Sequence, residues 1–481
     1  MELMDDLKFI DTGFIKNLND LASNKIEYWD LRCEASIGTN IDFTDQKSKE
    51  ISSYEVYDCG IRTFINGGWG FLVLKELSAE SILKNFEKVI KLARLSESLT
   101  ESKFKIKERD PYIKDFKIEG QKAFTNIDIE EKINLVKQHE KISSEYSKKI
   151  KNTRTLYYDG VADSIYLNSF GSIIKQKLAL ARMFSVSYAQ QNGIIQQGRN
   201  SIGGLGGFEI METENALKIS KKSAKEAVQL LDASSPKGGQ FTVIMDPKLC
   251  GTYIHEAFGH ACEADHILNK ESILEGKIGE QVANDQVTII DNPTIGLGKQ
   301  FGLPYEFFGS YFIDDEGIPA QKSIIVEDGM FKNFLHSLET ASRLECEPNG
   351  HGRAASPSSK PQVRMGITIL ETGDWTAEEI ISDTKKGVYC EDFQYGYTDP
   401  TTGNVQFKTR LSYKIEKGEK TELMRDVSLS GMTLEVLNRI SAIGNEIGFS
   451  DGMCGKGGQS VRVCDGGPYI RVDNIMIGGL N

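Results

Sequence analysis

Cysteine and histidine are scarce in this sequence. Its 481 residues include eight cysteines and six histidines, and no two cysteines stand in a CxxC pair. The missing pair argues against a zinc ribbon or a thioredoxin-like site, and the low cysteine density argues against a disulfide-stabilised secreted domain. We therefore expect reduced thiols in an intracellular protein.

Long apolar runs and an excess of positive charge are also missing. No run approaches the ~20 apolar residues that span a bilayer. The acidic start, residues 1–8, lacks the basic and apolar regions of a secretory leader. The 57 Lys and Arg residues against 69 Asp and Glu residues give a net charge of −12, whereas binders of nucleic acid or anionic membranes need a basic surface. The sequence thus predicts a cytoplasmic protein that binds neither nucleic acid nor membranes.

The sequence does contain an ordinary globular mixture, with 39% apolar and 26% charged residues. In its first half, strand signals alternate with helix signals. Asn66-Gly67 predicts a hairpin turn, Ser78 begins a helical stripe, and Asp128 with Glu131 resembles a capping box. A further predicted helix, 220–231, precedes a run of helix-breaking residues at 234–239.

Strand patterns dominate beyond that run. Residues 405–415 alternate apolar and polar side chains without a break, as in an antiparallel sheet with one solvated face. Two predicted helices, 248–268 and 433–448, interrupt the strands. We predict an α+β protein with an N-terminal mixed α/β domain, residues 1–235, and a mainly antiparallel C-terminal β domain, residues 236–481, which carries a metal-binding helix.

The candidate metal-binding helix contains His255, Glu256 and His260. Two imidazoles beside a carboxylate are typical of zinc peptidase helices, in which the His residues stand four apart on one face. Here the spacing is five, and such positions diverge by about 140° on a regular helix. A shared metal therefore requires a local distortion, and we predict a π-type bulge near Gly259.

The alternative is that these are two unrelated helix residues flanking a Glu. The clustering of His255, His260 and His266 within twelve residues weighs against it, since the whole chain has six histidines. His266 stands three helical turns beyond His255, so we expect it at the surface or outside the ligand set.

Catalytic zinc usually takes three protein ligands, so one more residue must come from elsewhere. Cys454 stands out because a glycine-rich segment next to Lys456 would expose the sulfur and favour its thiolate. The other candidates for the third zinc ligand are Cys262, Glu263, His336, His351 and Cys464. The remaining cysteines are interpreted as small buried apolar residues, and they are Cys33, Cys59, Cys250, Cys346 and Cys390.

Taken together, these motifs closely resemble the TldD branch of the TldD/PmbA (TldE) family. The resemblance covers most of the chain and rests on the His-Glu-Ala-x-Gly-His segment at 255–260, the Cys-Gly-Lys-x-Gly-Gln segment at 454–459 and the segment 466–472. Weaker similarities lie at 168–171, 203–207, 314–319 and 361–365. The chain departs from the family around 349–355, where His351 is most simply a solvated loop residue and contact with substrate is the alternative.

The resemblance implies a zinc-dependent peptidase of small or unfolded peptides. His255, His260 and Cys454 would bind one zinc ion per chain, and Glu256 would be the catalytic base. It also implies a dimer, either of identical chains or with a TldE-like subunit. No substrate-binding residue is assigned.

Two other functions use the same residues. One is hydrolysis of an amide that is not a peptide, and the other is a non-enzymatic peptide-binding subunit with a structural zinc. The retained Glu256 counts against the second, because a structural site has no need of it.

Overall fold

The computed structural model describes residues 7–478. Most of the acidic segment 1–8, which we expect not to be a secretory leader, lies outside the described residues. The helices are α1 Thr12–Ala22, α2 Ala79–Leu99, α3 Ile129–Glu145, α4 Glu214–Leu231, α5 Pro247–Ile254, α6 Ala264–Leu268, α7 Leu338–Arg343, α8 Ala377–Asp383 and α9 Thr433–Asn438. The strands are β1 Tyr28–Thr44, β2 Lys47–Ile65, β3 Gly68–Leu74, β4 Ile113–Ile118, β5 Ile150–Asn168, β6 Ile173–Gln191, β7 Ile194–Leu205, β8 Gly239–Met245, β9 Ile289–Asp291, β10 Glu306–Phe307, β11 Ser323–Glu327, β12 Met330–Phe331, β13 Gly352–Arg353, β14 Gln362–Val363, β15 Ile367–Leu370, β16 Lys386–Asp399, β17 Asn404–Glu416, β18 Glu419–Met424, β19 Ser428–Met432, β20 Ile440–Lys456 and β21 Gln459–Gly478.

The first large sheet has eight strands in the order β10-β7-β6-β5-β1-β2-β3, with β4 parallel to β6. Its long strands form antiparallel hairpins with type I′-like turns, because Asn66 and Gly67 (φ 43° and 89°) and Asn192 and Gly193 (φ 51° and 82°) all have positive φ. The α+β prediction and the predicted hairpin turn at Asn66-Gly67 are confirmed. The division at residue 235 stays a prediction, and one short strand beyond it, β10, joins this first sheet.

The second sheet has eleven strands and is mainly antiparallel. Strand β8 pairs with both β16 and β21, so the pairings β8-β16-β17-β19-β21 close into a ring. The alternating strand predicted at 405–415 is β17. Helix α5 packs on this sheet, and Leu249, Tyr253 and Ile254 contribute to its core.

Two glycines let α5 lie close to β21. A Cβ on Gly251 would come 2.9 Å from the backbone N of Gly466, and one on Gly467 would come 2.7 Å from Cys250 Sγ. Larger residues at these positions would push the helix away from the strand. This close contact places His255, one turn further along, next to Asp465 of β21.

Two predicted helix features differ from the structure. Ser78 caps α2 as expected, accepting from Ser81 N at 3.2 Å, but Asp128 precedes α3 without any side-chain cap, so the predicted capping box is absent. The helix predicted over 433–448 ends at Asn438, and β20 follows. Bulges in the pairing of β20 with β21 put the buried apolar residues of β20 at helix-like intervals, and this spacing is why the sequence pattern predicts a helix there.

Among the helices of residues 7–478, none combines the length and apolar composition needed to cross a bilayer.

Candidate metal centre

The segment that carries both histidines changes from an α-helix to a π-helical turn, and then to a short 3-10 helix, His260–Cys262. Asp246 caps α5 through Leu249 N at 2.8 Å, and α5 runs into a π-helical turn, His255–Gly259. The backbone N–H of His260 donates to the carbonyl of His255, five residues earlier. The predicted π-type distortion is therefore confirmed, and it brings the two imidazole centroids to 5.2 Å with perpendicular planes.

Gly259 is required by packing at this turn. A Cβ there would come 2.1 Å from the sulfur of Met365, a buried side chain. The turn thus lies tightly against the segment after β14, which leaves little freedom in the position of His260.

Cys454 lies close to the two histidines, although it is far from them in the chain. Its Sγ lies 3.5 Å from His260 Nε2, and one ligand atom each of His255, His260 and Cys454 lie within 4.8 Å of one another. The residue is in strand β20 and is 5% exposed. The expectation of an exposed sulfur in a turn is wrong, because the turn follows at Gly457-Gly458.

Each histidine is held from behind by a carboxylate. His255 Nδ1 lies 2.8 Å from Asp465 Oδ1, and His260 Nδ1 lies 2.9 Å from Glu263 Oε2. Both Nδ1 atoms thus face carboxylate oxygens, and the Nε2 atoms are the ones available to a metal. Carboxylates behind metal-binding imidazoles fix ring orientation and raise ligand basicity.

Lys456 forms ion pairs with the carboxylate behind His260 and with Asp265, and not with the Cys454 thiol as the sequence suggested. Its Nζ contacts Glu263 Oε2 at 3.0 Å and Asp265 Oδ1 at 2.7 Å. Glu263 is fully buried, and the charges of Lys456 and His260 outweigh its burial, so its pKa is held well below the usual value. The carboxylate behind His260 is thus ionised.

The electrostatics favour an ionised thiol. Burial raises the pKa of Cys454, but His255 and His260 more than offset this and lower it to about 5. Burial opposes the charged form of His260, yet Glu263 and Cys454 raise its pKa to about 10. A divalent metal would displace the imidazole protons, and two neutral imidazoles with one thiolate form a donor set that suits such a metal.

Glu256 faces open space beside this group. Its Oε2 lies 3.8 Å from His260 Nε2, and its side chain is 36% exposed. It lines a cavity of about 480 Å³ together with His255, Cys454 and Asp465. Residues of β6 and β7 form the opposite wall, so the cavity lies between the two large sheets.

The other candidate ligands lie apart from this group within residues 7–478. Cys262 is buried in the apolar core, Cys464 accepts a hydrogen bond from Gly309 N, and His336 lies beside Cys346. Glu263 acts on His260 from behind, and so does not reach the cavity. His266 lies 3.6 Å from Glu263, outside the ligand set as expected.

Two smaller expectations are wrong. His351 is fully buried, not solvated, and its imidazole lies between Asn349 Oδ1 at 3.0 Å and Asp291 Oδ1 at 3.1 Å. Cys346 is exposed, whereas Cys33, Cys59, Cys250 and Cys390 are buried as expected. Neither residue reaches the cavity.

Asp465 is a residue of the candidate site that the sequence patterns did not indicate. It stands 210 positions after His255, in strand β21, and it lies near His255 only because α5 packs against that strand. The one available signal was its position between Cys464 and the Gly466-Gly467 pair, which gave no indication of a histidine partner.

The chain is similar to known PmbA/TldD proteins in both sequence and structure. The models of PmbA/TldA metallopeptidase domain 1, central domain and C-terminal domain match residues 29–94, 122–231 and 238–479. A metalloprotease of Methanothermobacter thermautotrophicus is 37% identical over 98% of this chain and 99% of its own length. A protein of Saccharolobus solfataricus named zinc metalloprotease TldD homolog is 26% identical over 97% of this chain and 99% of its own. The crystal structure of TldE from Thermococcus kodakarensis has the same fold, with a TM-score of 0.74 at 18% identity over 97% of this chain and 100% of that one.

Proposed function

Because this chain belongs to the PmbA/TldD metallopeptidase family, we propose that it is a zinc-dependent peptidase of the HExxxH type. His255, His260 and Cys454 would hold one zinc ion per chain, and Glu256 would be the general base. The observation that carries the proposal is the convergence of these three ligand atoms within 4.8 Å.

The residues present fit zinc in three further respects. Two imidazoles and one thiolate form a common zinc donor set, and their number leaves a coordination position for substrate or water. Both Nδ1 atoms have carboxylate partners, which sets the tautomer that presents Nε2. A thiolate favours zinc over harder cations such as magnesium.

A bound zinc ion would supply Lewis-acid polarisation of the scissile carbonyl and lower the pKa of a water molecule. Glu256 takes a proton from the attacking water and returns it to the leaving amine. Its partial exposure at the cavity wall gives it access to both. Asp465 and Glu263 keep the two imidazoles oriented throughout.

The proposed substrates are small or unfolded peptides, since the cavity between the sheets is too narrow for a folded domain. We also propose a cytoplasmic dimer, either of identical chains or with a TldE-like subunit. The acidic net charge supports a protein with neither nucleic acid nor membrane as partner.

The test is metal content and peptide hydrolysis on untagged wild-type protein, Cys454→Ala and Glu256→Ala. We expect about one zinc per wild-type chain, a large loss in Cys454→Ala, and full retention in Glu256→Ala. Hydrolysis of an unstructured peptide should fall by about 100- to 10,000-fold in Glu256→Ala, the range that general-base catalysis contributes.

Each contrary result selects another function. Wild-type hydrolysis of a small non-peptide amide without any peptide cleavage would indicate a different amidohydrolase. Peptide binding that is unaffected by chelator and by Glu256→Ala, with no hydrolysis, would indicate a non-enzymatic binding subunit.

A further inference from the structure

Three arginines line the cavity beside the metal centre, and two of them are paired with carboxylates. Arg182 Nε lies 2.8 Å from Asp451 Oδ2. Arg410 Nη1 lies 2.5 Å from Asp392 Oδ2, and the same guanidinium also contacts Glu226. These two arginines are neutralised by the protein itself.

The third arginine, Arg199, has no such partner. It lies on β7 opposite Val186 of β6, on the face of the sheet that carries Ser201 and Phe184. Its guanidinium carbon lies 5.7 Å from the Phe184 ring centroid, and among residues 7–478 it makes neither a hydrogen bond nor an ion pair. Arg199 is partly buried in the cavity wall.

An unpaired guanidinium here is energetically unfavourable. Burial lowers the pKa of Arg199, and the charges of Arg410 and Arg182 lower it further, which together outweigh the opposing charges of Asp392 and Asp451. Arginine nevertheless stays protonated in proteins, so the positive charge persists in a partly desolvated place. An anion entering the cavity would relieve this cost.

The carboxylates of the cavity are already engaged. Asp451 binds Arg182 and Ser201, Asp392 binds Arg410, and Asp465 lies against His255. Glu256 lies by His260 at the proposed reaction site. The protein thus offers Arg199 no spare anion, although the chain as a whole carries a net charge of −12.

We propose that Arg199 is the substrate-binding residue that receives a carboxylate of the peptide. This inference rests on the proposed peptidase function and names its substrate class, namely peptides with a carboxylate within reach of the cavity wall. That carboxylate is either the C-terminal group or an Asp or Glu side chain. A guanidinium binds both in the same bidentate manner.

The test measures peptide binding in the zinc-loaded Glu256→Ala background, where turnover does not interfere. One neutral hexapeptide is made with a free C-terminal carboxylate and with a carboxamide. A second pair, both carboxamides, carries Glu or Gln at one internal position. We expect at least one carboxylate peptide to bind about 10- to 100-fold more tightly than its neutral partner, as charge-assisted hydrogen bonds allow. The pair that shows the preference identifies the source of the carboxylate.

Substitutions then assign the preference to Arg199. Arg199→Gln should reduce it to within about 2-fold, and Arg199→Lys should retain part of it, since a lysine keeps the charge but loses the bidentate geometry. The matched control is Lys222→Gln, which removes one positive charge from an exposed residue of the same cavity. Equal melting temperatures show that the variants are folded.

Equal binding of carboxylate and neutral peptides would overturn the proposal, as would a preference that survives Arg199→Gln or is lost equally in Lys222→Gln. The last outcome would mean that diffuse charge and not contact is responsible. If wild-type protein cleaves no peptide but the Arg199-dependent binding preference is present, the peptidase function fails and the carboxylate site stands.

Discussion

At the scale of single residues, the geometry of the candidate metal centre depends on side chains outside the three candidate ligands. His255 and His260 each have one ring nitrogen held by a buried carboxylate, and Lys456 in turn holds the carboxylate of Glu263. The imidazoles are therefore oriented before any ligand arrives. This lowers the entropic cost of binding, because ring rotation is already restricted.

Replacing Asp465 tests that support. We expect Asp465→Asn to weaken zinc binding by about 10- to 100-fold, the usual effect of losing a carboxylate behind a histidine ligand. Competition with a chelating dye measures the affinity. Asp473→Asn is the control, because Asp473 lies on the same strand but accepts from Thr242 at 2.9 Å, outside the cavity. Equal zinc affinity in wild type and Asp465→Asn would contradict the orienting role.

At the scale of elements, the π-helical turn does what a regular helix cannot. Residues five apart would point in directions about 140° apart on an α-helix, yet here their rings face one site. The extra residue in the turn is tolerated because Gly259 fits against Met365. Packing and ligand geometry are thus linked through one small residue.

Gly259→Ala should therefore disturb the metal centre without changing any ligand. The new methyl group overlaps Met365, so we expect a loss of about 1–3 kcal/mol in the free energy of unfolding, as for other overpacked cores. Zinc content after dialysis should fall as well.

A double variant supplies the check. Met365→Ala creates room for the methyl group, so zinc content should partly recover when it is combined with Gly259→Ala. If Gly259→Ala binds zinc like wild type, or if Met365→Ala gives no recovery, the steric explanation fails.

At the scale of the whole molecule, the cavity exists because the two large sheets face each other. Two partly buried ion pairs hold them together: Arg182 of β6 contacts Asp451 of β20, and Arg410 of β17 contacts Glu226 of α4, the helix packed on β6 and β7. Ser201 adds a hydrogen bond to Asp451 at 3.1 Å. These contacts set the distance between the metal centre and the opposite wall.

Removing one side of such a contact should destabilise the protein. We expect Arg410→Met to lower the free energy of unfolding by about 3 kcal/mol, because it leaves the partly buried Glu226 without its arginine and leaves Asp392 with only Lys248, whose Nζ lies 3.7 Å away. Urea unfolding measures the change. Arg439→Met is the control, since its pair with Glu435 is exposed and should contribute less than about 1 kcal/mol.

A second substitution separates charge from packing. Adding Glu226→Gln to Arg410→Met removes one unpaired carboxylate and should restore part of the stability. A double variant that is less stable than Arg410→Met would show that the loss came from packing instead.

The features that follow from the sequence alone are local. Asn66-Gly67 sets a turn because both residues take positive φ at low cost, and Ser78 sets a helix start because its hydroxyl caps a nearby N–H. The spacing of His255 and His260 even required the π-type turn. Each of these follows from residues close together in the chain.

The contacts that depend on the folded structure join residues far apart in the chain. Cys454 meets His260 across 194 positions, and Asp465 meets His255 because Gly251 and Gly467 let α5 lie against β21. The burial of His351 and the lone charge of Arg199 depend on packing in the same way. Such pairings depend on how surfaces fit after the chain has folded, and no local preference of the backbone encodes them.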